Sequence, residues 1–298
     1  MNDSDWLREP GDPKSDPRPV EELISSALSE PDEEHTYWDA VVALHWRGTR
    51  EVFDRASQLC QSLCPMERRL GADILGQLGC PDRSFPKECP QILLGMLERE
   101  EDHRVLDAIL VALSHHRAPE AIGPASRFRH HADPEVRLGV VFALMGYENQ
   151  EAHGVLIELT RDADAQVRDW ATFALGTQCE TDTPAIRDAL ADRLADTDDE
   201  TRCEALVGLA RRGGPTGTHS PSRRTRLPVG QYACDRGRRP DLRAAVDNRV
   251  DRTAGTLGWR QRYVGAGDPG VLAQPRFGHL RYLRRGWLTH KCKSRYPS

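Results

Sequence analysis

One short motif recurs along this chain, and its recurrence restricts the fold more than any other feature of the sequence. The strings DPEVRLGVVFALMG (133–146), DAQVRDWATFALGT (164–177) and DDETRCEALVGLAR (198–211) share the positions of an aspartate, an arginine and an apolar face. Self-similarity at a short, regular interval is typical of repeat proteins, in which each unit packs mainly against its neighbours. The sequence therefore predicts a stack of like helical units.

The arginine of the V-R step aligns six copies of the unit, and we call its position the anchor. The third residue past each anchor is small or aliphatic, and the seventh is always leucine. Such spacing predicts one amphipathic helix per copy that packs in the same way each time. The anchors are Tyr37, Arg68, Leu106, Arg137, Arg168 and Arg202, and the leucines are Leu44, Leu75, Leu113, Leu144, Leu175 and Leu209.

Three copies begin with an aspartate suited to cap a helix. Asp133, Asp164 and Asp198 each precede an anchor by four residues, where a carboxylate accepts hydrogen bonds from free N–H groups of the first turn. We interpret these aspartates as structural N-caps and not as catalytic acids. A second helix is predicted after each of the first five anchor helices, over residues 50–63, 89–99, 119–129, 151–161 and 184–196.

The pattern D-P-x-V-R-x-x-A-x-x-A-L-G resembles short bacterial HEAT repeats of the phycobilisome-lyase HEAT-like type, over about residues 33–212. The resemblance implies an all-α fold, a right-handed α-solenoid of about six helix-turn-helix repeats with the last incomplete. It implies little about function, because such repeats occur in adaptors, chromophore lyases, DNA glycosylases and a dimetal hydroxylase.

Composition changes sharply after Arg212. Up to that residue the chain has 23 Lys and Arg against 41 Asp and Glu, a net charge of -18, whereas residues 213–298 have 18 against 5, a net charge of +13. We expect residues 1–20 to be disordered, residues 21–212 to form the solenoid, and residues 213–298 to form a disordered basic tail rich in Arg, Gly and Pro.

The tail has two interpretations. It lacks Glu, Ile and Met and continues no repeat column, which favours an out-of-frame translation of GC-rich coding sequence. Alternatively, it is a basic arm that binds nucleic acid through arginines and stacking aromatic residues, namely Trp259, Tyr263, Phe277, Tyr282 and Trp287. A foreign tail leaves the sixth unit without its second helix, which predicts an exposed apolar stripe at Leu206, Val207 and Leu209 and self-association through this uncapped end.

No residues in the sequence form a recognisable catalytic, cofactor-binding or metal-binding motif. The spacing of Cys60, Cys64, Cys80 and Cys89 fits a zinc knuckle poorly, and we interpret these cysteines as small buried hydrophobes. The adjacent pairs His115–His116 and His130–His131 are interpreted as solvated, because neighbouring helical residues point about 100° apart and seldom ligate one ion.

The acidic repeat body favours a protein partner with a basic segment and opposes nucleic-acid binding by the repeats. We expect a cytoplasmic, non-catalytic scaffold or adaptor, with no membrane span, that binds its partner on a concave, mainly acidic surface lined by the second helices. Trp170 is the candidate partner anchor, with packing against a neighbouring helix as its alternative role. The alternative functions are a HEAT-like lyase that assists cofactor or chromophore attachment, and nucleic-acid binding through the tail.

Overall fold

The computed structural model describes residues 16–29 and 34–213, and within these ranges the secondary structure is helical with no strand. None of the described helices is long and apolar enough to cross a membrane. A 3-10 turn, Pro119–Ala121, directly precedes the helix that begins at Ile122. The helices are α1 (Val20–Ser29), α2 (Glu34–Arg47), α3 (Arg50–Leu59), α4 (Pro65–Gln77), α5 (Glu88–Leu97), α6 (His103–His116), α7 (Ile122–Ser126), α8 (Pro134–Leu144), α9 (Gln150–Leu159), α10 (Ala165–Thr177), α11 (Pro184–Arg193) and α12 (Asp199–Arg211).

The helices pair in a different phase from the one that the sequence suggested. Each helix that carries an anchor packs more extensively against the helix before it than against the helix after it. The pairs are therefore α1–α2, α3–α4, α5–α6, α7–α8, α9–α10 and α11–α12. The predicted α-solenoid of about six repeats is confirmed, but the expected half unit at its end is a complete pair, because α1 opens the first pair.

The paired helices form two layers. The anchor layer consists of α2, α4, α6, α8, α10 and α12, and the second layer consists of the other six helices. Consecutive anchor helices contact one another more extensively than consecutive second-layer helices do. Glycine makes the closest approach possible, since a Cβ added to Gly208 of α12 would lie 2.6 Å from the Cα of Gly176 in α10.

The core lies between the two layers and repeats with the sequence. All six leucines of the seventh column are at most 1% exposed, and the small or aliphatic residues of the third column are buried with them. Because the same column is buried at each step, one packing arrangement extends along the described stack. The column is thus structural in every unit.

Aspartates cap three helices of the anchor layer. The Asp133 carboxylate accepts a hydrogen bond from the Glu135 N–H, and that of Asp164 accepts bonds from the N–H groups of Gln166 and Val167. Asp198 caps α12 in the same way. These side chains satisfy backbone donors that the first helical turn leaves unpaired.

The N-terminal boundary lies earlier than the sequence suggested. Residues 16–20, assigned above to a disordered segment, are part of the folded structure: Arg47 donates hydrogen bonds to the carbonyl oxygens of Asp16 and Arg18, and α1 begins at Val20. Residues 1–15 and 214–298 lie outside the described residues. The interpretations of the basic tail and of its five aromatic residues therefore concern a part of the chain that the structure does not describe.

Candidate functional site

Trp170 lies on α10 at the contact between consecutive anchor helices. Its ring meets Phe142 of α8 edge-on at a centroid distance of 5.0 Å, and meets Phe173 edge-on at 5.5 Å. Trp170 and Phe142 are partly exposed, whereas Phe173 is buried. Trp170 therefore packs against a neighbouring helix and also contributes aromatic surface.

A row of carboxylates continues this surface along the anchor layer. Burial raises the pKa of Asp107 on α6 to about 8, and the negative charges of Glu135 and Asp73 raise it further. Burial also raises the pKa of Glu135 on α8, assisted by the charges of Asp133 and Asp164. Because burial and nearby negative charges disfavour ionisation of Asp107 and Glu135, a cation at this position would interact favourably with them.

The third carboxylate, Asp73 on α4, is buried and held by two side chains. It accepts a hydrogen bond of 2.5 Å from the Tyr37 hydroxyl of α2, and the Arg69 guanidinium lies 3.7 Å away. The first two anchor helices are thereby joined through a polar contact in an otherwise apolar region.

These side chains share one side of the anchor helices. Each of these residues lies two positions before the anchor of its helix, or one, two or five positions after it. Because successive helical residues are rotated by about 100°, these positions lie roughly opposite the buried leucine column. We call this surface the acidic-aromatic face. It consists of Asp107, Glu135, Phe142 and Trp170, whereas Asp73 lies on the same side of its helix but is buried.

A second cluster brings three metal-ligating side chains together at the joint of two repeats. His153 Nε2 of α9 lies 3.3 Å from Cys179 Sγ and 3.7 Å from Glu148 Oε2, and the thiol lies 3.7 Å from the same carboxylate oxygen. Among the described residues these are the only three such ligand atoms that all lie within 4.8 Å of one another.

The loop around Cys179 orients this cluster. Glu148 accepts hydrogen bonds from the backbone N–H groups of Glu180 and Thr181 at 2.7 and 3.1 Å and from the Thr181 hydroxyl. Burial tends to raise the pKa of the Glu148 carboxyl, but these hydrogen bonds outweigh it and lower the pKa. Burial and the nearby Glu148 charge raise the pKa of the Cys179 thiol.

Sequence inspection missed this cluster, although the repeat contains a signal for it. Glu148 and Cys179 are 31 residues apart, the same interval as Arg137 and Arg168, so both lie 11 residues past an anchor in neighbouring units. Equivalent positions of consecutive repeats lie side by side. His153 lies on α9, between Glu148 and Cys179 in the sequence.

The interpretation of the four cysteines as small buried hydrophobes holds for Cys60 and Cys89 and was wrong for Cys64 and Cys80, which lie in or next to turns at the surface. Cys60 and Cys89 are buried, and burial raises the pKa of each thiol to about 12. Cys64 is exposed and Cys80 is partly exposed. Within the described ranges these four residues form no group that could hold an ion.

The histidine pairs are less uniformly solvated than expected. His116 Nε2 lies 2.9 Å from the carbonyl oxygen of Leu75, and burial lowers the pKa of His116 to about 4. His130 is exposed and lies 3.2 Å from Glu158. The solvated interpretation was wrong for His116, because packing of α6 on α4 places its ring against a backbone carbonyl of the neighbouring unit.

The C-terminal end of the described stack is partly covered. Leu209 is 1% exposed, contrary to the predicted apolar stripe, whereas Leu206 and Val207 are partly exposed. Leu209 is buried because it belongs to the leucine column, which packs between the layers of a complete pair. Self-association through this end stays a prediction.

Comparison with known proteins identifies relatives of the repeat region. The HEAT repeats family matches residues 90–176 and 155–218. Protein YibA of Escherichia coli strain K12 is 26% identical over 180 residues, which cover 57% of this chain and 62% of YibA. The chain therefore covers less than two thirds of the length of this relative.

One solved structure supports the fold, that of YibA. The X-ray structure of YibA from Escherichia coli aligns with a TM-score of 0.57 and 23% identity, covering 71% of this chain and 76% of YibA. A designed armadillo repeat protein in complex with the peptide (KR)4 aligns with a TM-score of 0.41 and 13% identity, over 65% of this chain and 99% of that chain.

Proposed function

We propose that this chain, whose residues 90–176 and 155–218 match the HEAT repeats family, is a non-catalytic scaffold that binds a lysine- and arginine-rich segment of a partner protein on its acidic-aromatic face. The observation that carries the proposal is the continuity of Asp107, Glu135, Phe142 and Trp170 across three consecutive anchor helices. Carboxylates pair with cationic side chains, and a tryptophan ring binds them through cation–π contact.

The proposal moves the binding surface from the second helices to the anchor helices. The support is the closer packing of the anchor layer, since a stack bends toward the layer whose helices are closer together. The anchor layer then forms the concave side, and the four residues of the face lie there. Trp170 makes the central contact with the partner, and its packing against Phe142 holds the indole ring in a fixed position.

Binding of a fluorescent, eight-residue peptide of lysine and arginine tests this role. We expect the double variant Asp107→Asn and Glu135→Gln, assayed at about pH 9 where Asp107 is ionised in the unaltered protein, to weaken binding by about tenfold or more, because two carboxylates of the face are neutralised. Trp170→Leu should weaken binding as well, without changing the net charge. A peptide of the same length with glutamate in place of the basic residues should not bind.

A matched control removes the same charge elsewhere. Glu151 on α9 and Asp188 on α11 are exposed carboxylates of the second layer, so Glu151→Gln with Asp188→Asn changes the net charge equally. We expect this control to bind the basic peptide nearly as well as the unaltered protein. Equal weakening by both double variants would mean that binding follows net charge alone, and the proposed face would be abandoned.

A further inference from the structure

We propose that Glu148, His153 and Cys179 form a zinc-binding site that joins the fourth and fifth helix pairs. The inference is independent of the scaffold proposal. It rests on the convergence of a thiol, an imidazole and a carboxylate from three separate segments: the loop after α8, helix α9 and the loop after α10. Sulfur, nitrogen and oxygen ligands of this kind are those that Zn²⁺ uses in proteins.

The spacing of the three atoms fits one tetrahedral ion. With ordinary zinc–ligand bond lengths, ligand atoms around a tetrahedral centre lie about 3.3 to 3.6 Å apart. The observed separations are 3.3 Å between Cys179 Sγ and His153 Nε2, and 3.7 Å from each of these atoms to Glu148 Oε2. An ion could therefore bind with small side-chain shifts and with the helices in place.

The cluster is buried on all sides except that of Glu148. Cys179 and His153 are 3% and 8% exposed, whereas the side chain of Glu148 is 44% exposed. An ion can enter past the glutamate, and a water molecule can occupy the fourth ligand position. When the ion binds, the Cys179 thiol releases its proton to solvent and a zinc–sulfur bond forms.

The surroundings hold the ligands in position. The backbone N–H groups of Glu180 and Thr181 orient the Glu148 carboxylate, and Arg212 donates hydrogen bonds to the carbonyl oxygens of Cys179 and Thr181 at 3.0 and 3.1 Å. Such outer contacts fix first-shell ligands in metal sites. One thiolate and one carboxylate balance the two positive charges of the ion.

The same geometry opposes a nucleophilic cysteine. In a Cys-His-acid triad the acid contacts the ring nitrogen that faces away from the nucleophile. Here the sulfur and the carboxylate oxygen both approach His153 Nε2. The three atoms converge on one point, as ligands do, and Cys179 is too deeply buried to meet a substrate.

Titration of the full-length, reduced and metal-free protein with Co²⁺ tests the site. We expect one tight equivalent with the visible absorption of four-coordinate Co²⁺ and a near-ultraviolet thiolate charge-transfer band, both lost when Zn²⁺ displaces Co²⁺. Cys179→Ser should remove the charge-transfer band and weaken binding by more than about 100-fold, beyond the usual effect of an outer-contact change. Cys60→Ser, which alters a buried cysteine outside the cluster, should leave both signals unchanged.

Glu148→Gln keeps the test decisive if Cys179→Ser does not fold, because the side chain is near the surface and the one amide oxygen of Gln can still accept the hydrogen bonds from Thr181. We expect it to retain the helical circular dichroism of the unaltered protein and to bind Co²⁺ at least about tenfold more weakly. A spectrum of aqueous, six-coordinate Co²⁺ would overturn the proposal. So would a thiolate band that persists in Cys179→Ser, or full affinity in Glu148→Gln.

Discussion

Arg137 and Asp162 form a two-pronged ion pair between neighbouring repeats, with Arg137 Nε 2.7 Å from Oδ2 and Nη2 2.8 Å from Oδ1. The remaining Arg137 nitrogen, Nη1, donates to the carbonyl oxygens of His131 and Ala132 in the turn before its own helix. One anchor arginine thus joins two consecutive turns of the solenoid. Planar guanidinium geometry suits such paired contacts.

The same arrangement recurs at two other anchors. Arg68 binds Glu100, and Arg168 binds Asp196, in each case through Nε and Nη2. Each of these carboxylates lies two residues before the N-cap of the next anchor helix. The turn therefore supplies two acids with different roles, one for the arginine of the preceding repeat and one for the helix that follows.

We predict that Arg137→Ala destabilises the protein by about 2 to 3 kcal/mol, because the Asp162 carboxylate, whose side chain is 7% exposed, loses its charged partner. Arg161→Ala is the matched control, since Arg161 pairs with Asp192 where both side chains are about half exposed. That change should cost less than about 1 kcal/mol. Urea unfolding measures both values, and similar losses would contradict a special role of the anchor.

We predict that the free energy of unfolding falls in acid as the carboxylates that pair with the anchor arginines are protonated. Burial acts to raise the pKa values of Asp162 and Asp196, but the arginine hydrogen bonds outweigh it and hold both below the ordinary value of 3.8. As the pH falls the unfolded chain takes up protons first, so this stabilisation is present above about pH 5 and is lost progressively below about pH 4. Urea midpoints across this range measure the effect, which should be smaller in Arg137→Ala.

We predict that Asp107→Asn makes the protein more stable at pH 8 and reduces the loss of stability between about pH 4 and pH 8. The folded protein keeps a proton on Asp107 up to a pKa of about 8, while the unfolded chain releases it near the ordinary value of 3.8. Stability therefore falls as the pH rises between these values. Thermal unfolding at several pH values measures the slope, and Asp188→Asn, an exposed control, should leave it unchanged.

We predict that Gly208→Ala costs about 1 to 3 kcal/mol, because its Cβ would lie 2.6 Å from the Cα of Gly176 and the two anchor helices would have to separate. Gly154→Ala in α9 is the control, since a Cβ there meets nothing within 4 Å. Helix propensity alone should then stabilise the protein by about 0.5 to 1 kcal/mol. Chemical denaturation of both variants gives the comparison, and equal destabilisation would contradict close packing as the cause.

The phase of the repeats shows how far local patterns extend. The V-R step and the leucine column predicted the anchor helices, because helical periodicity and burial are properties of a single segment. The choice of partner for each helix is not such a property, since a second helix has an anchor helix on both sides in the chain. Each second-layer helix packs more extensively against the anchor helix that follows it. For this reason α1 forms the first pair with α2, and α12 forms the last pair with α11.

The two candidate sites also depend partly on local sequence and partly on packing between repeats. Trp170 stood out in the sequence as a large aromatic residue in a variable column, but its contact with Phe142 depends on how α8 packs against α10. Glu148, His153 and Cys179 carry no local motif, and they meet only because a repeat interval of 31 residues brings neighbouring loops together.

The sequence by itself determined that this chain forms stacked helices with a leucine core, aspartate caps and an acidic repeat body, because these features follow from periodicity, capping chemistry and charge. Only the tertiary structure decided which layer carries the acidic-aromatic face, which carboxylate each anchor arginine binds, and which thiol meets an imidazole. Those relationships depend on distances between neighbouring units, and such distances are fixed by packing and not by any single segment.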